Sequence, residues 1–162
     1  VGQGSCGISA GASKVYNALE KLLVNNSDVQ LSVTGCIGMC YLEPIVDIYS
    51  DGKLIRLVRV KDTDAKAVAD YISTGDLSLI KNLIVSDEDK HFLDSQTRIA
   101  LRGCGVINPD EIDDYIANGG YTALKKALTS MTPEGVIDEI NWTFRIKDYK
   151  NLKNNSTFRI VK

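Results

Sequence analysis

Two short segments fix where regular structure in this chain must stop. Cys6 stands in Gly4-Ser5-Cys6-Gly7, and Cys36 and Cys40 stand in Gly35-Cys36-Ile37-Gly38-Met39-Cys40, with Pro44 beyond. Glycines on both sides and the proline argue against a helix through the second segment. Both segments therefore read as loops with the backbone freedom to wrap a ligand. Cys36 and Cys40 can converge on one metal, with backbone N–H groups left free for sulfur. Thiolate is the ligand that zinc and iron–sulfur clusters take. A four-sulfur site needs one more, and no fourth cysteine lies near either loop in the sequence.

The hydrophobic pattern around these loops predicts an α/β architecture. Val1-Gly2-Gln3-Gly4 reads as the end of a strand running into the first loop. Its first half is not in the sequence, so residue 1 is expected not to be the biological start. A helix follows over residues 10–24, with Val15, Leu19, Leu22 and Leu23 on one face and Asn25-Asn26-Ser27-Asp28 stopping it. Val29, Leu31 and Val33 alternate with polar residues as a strand does. After the second loop, arms at 45–49 and 54–60 flank Asp51-Gly52, a pair suited to a hairpin turn with positive φ at both positions. A second helix spans 64–73, with Ala65, Val68, Ala69 and Ile72 inward and Gly75 at its end. The order β–α–β–β–β–α predicts a mixed sheet flanked by helices. If the first two strands are neighbours, Cys6, Cys36 and Cys40 meet.

Residues 76–107 read as a linker, with an extended segment at 96–101. Asn108-Pro109-Asp110-Glu111 then starts a helix over 110–117, with Asn as cap and Glu reaching back. Further helices follow over 121–130 and, from Thr132-Pro133-Glu134, to about 140. Three short helices after a small α/β domain read as an appendage that packs on something else. Residues 141–162 form a divergent basic tail with six Lys/Arg and one Asp, read as a solvated end and not as a nucleic-acid or membrane contact. Hydrophobic residues at 44%, charged residues at 25% and a net charge of −2 over 162 residues describe an ordinary soluble globular chain. No apolar run approaches the ~20 residues a membrane span needs. No signal peptide is evident, and four scattered cysteines are not a secreted disulfide framework. A reducing cytoplasm is the expected setting. There is no Ser/His/Asp array, phosphate loop or zinc Cys-x2-Cys pair. His91 reads as part of a solvated loop, and Cys104 as a structural thiol. Asp110, Glu111, Asp113 and Asp114 read as helix-terminal charges.

Gly4-Ser5-Cys6-Gly7-Ile8-Ser9-Ala10-Gly11-Ala12 and Thr34-Gly35-Cys36-Ile37-Gly38-Met39-Cys40-Tyr41-Leu42-Glu43-Pro44 resemble the thioredoxin-like [2Fe–2S] ferredoxin family. More narrowly, they resemble the copy of that domain at the N-terminus of the NADH-oxidising flavoprotein subunit of bacterial NADH dehydrogenases and electron-bifurcating hydrogenases. Arg98-Ile99-Ala100-Leu101-Arg102-Gly103-Cys104-Gly105, the stretch from Asn108 to Tyr121, Leu124-Lys125-Lys126-Ala127-Leu128 and Met131-Thr132-Pro133-Glu134 resemble that subunit's linker and the approach to its flavin domain. The resemblance implies a thioredoxin-like domain at 1–75, a linker at 76–107 and a helical segment at 108–140. It implies Cys6, Cys36 and Cys40 as metal ligands of a [2Fe–2S] cluster that transfers electrons. It implies other subunits of a redox complex as partners; a homodimer is a separate expectation beside them.

The chain departs from that family pattern in two ways. The family has four cysteines, the first two spaced Cys-x4-Cys, and the missing position falls at Val1. A fourth ligand would have to come from Ser5, Ser9, Cys104 or a partner, or the cluster is lost. The glycine-rich loop that holds the flavin phosphate is also missing, since no glycine follows Gly135. No FMN or NAD site, and no catalysis by this chain alone, is expected. Two rivals stand beside the ferredoxin: a cluster-free docking module of such a complex, and a Cys36/Cys40 thiol–disulfide couple.

Overall fold

The computed structural model describes residues 1–143, so the expectation for the basic tail lies outside the described residues from position 144 on. Two compact units are present, Val1–Asn118 and Gly119–Lys162. Among the described residues the architecture is mixed α/β, with seven α-helices and one two-stranded antiparallel sheet. No described helix is long and apolar enough to cross a membrane.

The first unit opens with α1 (Ser5–Ala10) and α2 (Ala12–Leu23). The sequence pattern predicts one helix from residue 10 and a loop at Cys6; instead helical structure begins at Ser5, directly after an extended Gly4. Gly11, at φ 106°, breaks the two helices apart. The hairpin is as expected. β1 (Val46–Ser50) pairs with β2 (Lys53–Leu57) in the register Val46↔Leu57 to Ser50↔Lys53. Asp51 and Gly52 both carry positive φ, at 50° and 73°. The expected strand over 29–33 is reduced to a single parallel bridge, Gly2↔Thr34. Val1–Gln3 runs beside it, bonded through Thr34 N–Val1 O at 3.0 Å and Gln3 N–Thr34 O at 2.8 Å. On its other side Gly2 N donates to Ile45 O at 3.0 Å, which seats this short row beside the hairpin.

α3 (Ala65–Thr74) and α2 close over the hairpin. The core comprises Ala12, Val15, Leu19 and Leu23 of α2, Val46, Leu57, Val60, and Ala65, Val68 and Ala69 of α3, with Ile80. Leu22 does not belong to that face and is 49% exposed, because the buried stripe runs 12-15-19-23 at helical spacing. Ile72 packs at the margin.

Residues 76–107 hold more structure than the sequence predicts. Ile80 is fully buried, and Leu57 and Ile84 form an antiparallel bridge along the free edge of β2. α4 (Asp87–Asp94) replaces the expected loop around His91; Ser86 caps it, its Oγ accepting from Asp89 N at 3.2 Å. The expected extended segment at 96–101 gives way to bends and turns. α5 (Ile112–Ala117) begins two residues later than predicted. Asn108 does cap Asp110 N, but the acid that reaches back to Asn108 N is Asp114, at 2.9 Å, and not Glu111. The second unit contains α6 (Thr122–Ser130) and α7 (Pro133–Thr143), the latter capped by Thr132 Oγ1, which accepts from Gly135 N at 3.1 Å.

Candidate metal centre

The bridge between Gly2 and Thr34 places the two cysteine segments side by side. Cys6 Sγ and Cys36 Sγ lie 3.2 Å apart, and Cys36 Sγ and Cys40 Sγ 3.8 Å apart. All three sulfurs fall within 4.8 Å of one another, and none is in a disulfide. Among the described residues this is the one group of three or more cysteine, histidine or acidic side chains with metal-ligand proximity.

Each segment is held by apolar and polar anchors that no sequence motif singles out. Ile37 and Met39 alternate with the cysteines and are buried, at 6% and 1% exposure, in a second cluster with Leu42, Ile45 and Val58. Val85 and, from α4, Leu93 pack against it. Burying the intervening residues anchors the loop, which leaves Cys36 half-buried and Cys40 exposed. Gly38, at φ 91°, makes the turn, and its N–H donates to Cys36 Sγ at 3.3 Å. The glycines around Cys6 serve a different end from the one expected. A Cβ on Gly4 would lie 2.7 Å from Cys36 Cβ, and one on Gly7 2.5 Å from Gly2 O. They are there for close approach, not for turn freedom.

A carboxylate lies beneath the group. Glu43 is 7% exposed, and its Oε2 accepts from Ile45 N at 2.8 Å. Burial holds its pKa above the ordinary carboxylate value. The three thiols do not titrate alike. The hydrogen bond with Cys36 lowers the Cys6 pKa, whereas burial above all pushes Cys36 up to about 12. Of the two touching thiols, Cys6 is therefore the more acidic.

The other candidates from the sequence lie outside this group. Ser5 and Ser9 are exposed on α1. His91 is exposed on α4, and Asp110, Glu111 and Asp113 are exposed at the start of α5. Cys104 is partly buried and outside the three-sulfur group, yet its Sγ lies 3.8 Å from where a Cβ on Gly35 would be. Arg98 is a contact that sequence reasoning misses; its guanidinium donates to Ile37 O and, at 3.4 Å, to Cys104 O. A lone arginine at the end of the polar run Asp94-Ser95-Gln96-Thr97 carries no periodic signal that could have found it.

No family model matches the chain. Over 43 residues it is 60% identical to the NADP-reducing hydrogenase subunit HndC of Solidesulfovibrio fructosivorans. That match spans 26% of this chain and 9% of the subunit, so the chain corresponds to a small part of its relative.

Proposed function

We propose that this chain is the electron-carrying [2Fe–2S] module of a multisubunit NADH- or hydrogen-linked oxidoreductase, with Cys6, Cys36 and Cys40 as cluster ligands. The observation that carries this reading is the convergence of three thiols from two separate segments within 4.8 Å. The donor set fits: sulfur ligands, an N–H aimed at Cys36 and partial exposure match what an iron–sulfur cluster takes, and three of its four ligands are supplied. The similarity to a hydrogenase subunit supports the redox setting and partners of that class. A thioredoxin-like domain over 1–75, joined through 76–107 to a helical segment at 108–140, is the fold we assign to it. The parallel bridge, the hairpin and the packing of α2 on α3 support that assignment. The free thiols fit a reducing cytoplasm.

When bound, the cluster supplies one-electron transfer. The residues do the rest. Ile37 and Met39 fix the loop, and Gly38 N–H stabilises the Cys36 thiolate. Glu43 places a buried carboxyl near Cys6, where it acts on that sulfur through its charge when ionised. Exposed Cys40 marks the side from which an electron reaches a docked partner. No flavin or nicotinamide step is assigned to this chain. Leu124 and Leu128 of α6 and Ile137 and Ile140 of α7 are exposed, which suits helices that dock on another subunit.

The test is anaerobic reconstitution with ferrous iron and sulfide, followed by reduction and EPR. A rhombic signal that disappears in Cys36→Ala supports the reading. Protein that stays colourless overturns it and leaves the cluster-free docking module.

A further inference from the structure

We infer that Cys104 is the fourth thiolate ligand of this centre, an inference that rests on the cluster reading above. A [2Fe–2S] rhomb takes two ligands on each iron, so three cysteines leave one iron a ligand short. The turn that carries Cys104 is fastened to the cysteine loop at several points. Arg98 donates to Ile37 O and to Cys104 O, and Thr34 Oγ1 donates to Ile107 O at 2.8 Å. Tyr49 Oη donates to Gly105 O at 3.4 Å. Gly105, at φ 80°, sits so close to the loop that a Cβ there would be 2.5 Å from Ile37 Cγ2.

These contacts bring a free, partly exposed thiol against Gly35, the neighbour of Cys36, across 69 residues of sequence. Gly103 and Gly105 flank Cys104, and one glycine adjoins each of Cys6 (Gly7) and Cys36 (Gly35). Its sulfur lies outside the close three-sulfur group. A fourth ligand shares its iron with one of the three cysteines, so Cys104 needs to approach that one cysteine and not all three. The competing donors in the chain, Ser5 and Ser9, offer hard hydroxyl oxygens, and iron in a sulfide cluster prefers soft thiolate. On binding, Cys104 gives its proton to solvent and its sulfur forms one bond to iron. No electron is exchanged.

The test uses the 162-residue chain reconstituted anaerobically with ferrous iron and sulfide, with folding checked by circular dichroism. Cys104→Ala should lose iron to a chelator about tenfold faster than wild type. Cys104→Ser should keep iron with a shifted EPR signal. In wild type, iodoacetamide labelling of Cys104, read by peptide mass spectrometry, should fall about tenfold on cluster loading. This last measurement decides the matter if the variants do not fold. Wild-type iron retention and EPR in Cys104→Ala, or Cys104 labelling unchanged by loading, would overturn the inference and leave the three-cysteine reading intact. Wild type that takes up no iron would overturn both.

Discussion

Cys6 and Cys36 touch, yet their surroundings push their acidities in opposite directions, and that difference is measurable without any metal. In apo protein at neutral pH, iodoacetamide should label Cys6 well ahead of Cys36, and Cys36 should stay slow until the pH nears about 12. Equal rates by peptide mass spectrometry would contradict the contact at 3.2 Å. Glu43 yields a second prediction. Burial raises its pKa above 4.5, so the folded state holds the proton more tightly than the unfolded chain. Stability from this group is therefore present below 4.5 and is lost as pH rises through the folded value. Glu43→Gln keeps an oxygen acceptor for Ile45 N and removes that loss. Urea midpoints of the two proteins should diverge with rising pH in favour of the variant, and parallel curves would refute the assignment. The behaviour of these three residues is not legible in the sequence, because it depends on which side chains the fold brings within a few ångströms.

At the scale of elements, the glycines around Cys6 are the informative case. The sequence shows the glycines but not the reason for them: Gly4 has φ −64°, a value any residue adopts, and what it lacks is room for a methyl group against Cys36. Gly4→Ala should therefore spread the Cys6 and Cys36 segments and cut iron retention severalfold on reconstitution, although no sulfur is removed. Gly11→Ala, at φ 106° with nothing near its Cβ position, should cost about 1 kcal/mol of stability and leave iron retention alone. Equal iron retention in the two variants would sink the close-approach account. Local chemistry makes other elements readable. Asp51-Gly52 dictates the hairpin, Gly75 ends α3 in a left-handed conformation, and Thr132 caps α7. The strand expected at 29–33 does not form because alternation reports which face is buried, with Val29 and Leu31 packed on the core, but not whether a partner runs alongside. α4 hides in the sequence although Ser86 and Asp89 form a capping pair, since its first turn is so acidic that it resembles a solvated loop.

For the molecule as a whole, one core holds the scaffold and a second, smaller cluster holds the loop with Cys36 and Cys40. Leu19, 1% exposed in the first, should cost about 3 kcal/mol when cut to alanine, with the loss seen in the denaturation midpoint. A loss near zero would contradict its place in the core. The convergence of Cys6, Cys36 and Cys40 is legible from two cysteine–glycine segments of like composition, although the first proves to be the start of α1 and not a loop. The approach of Cys104 is not, because residues 76–107 have no periodicity that reveals where they pack. Whether these thiols hold a two-iron cluster is tested most directly by the iron and acid-labile sulfide content of the anaerobically purified chain. About two of each per chain are expected; protein that carries neither, even after anaerobic reconstitution, would contradict the cluster.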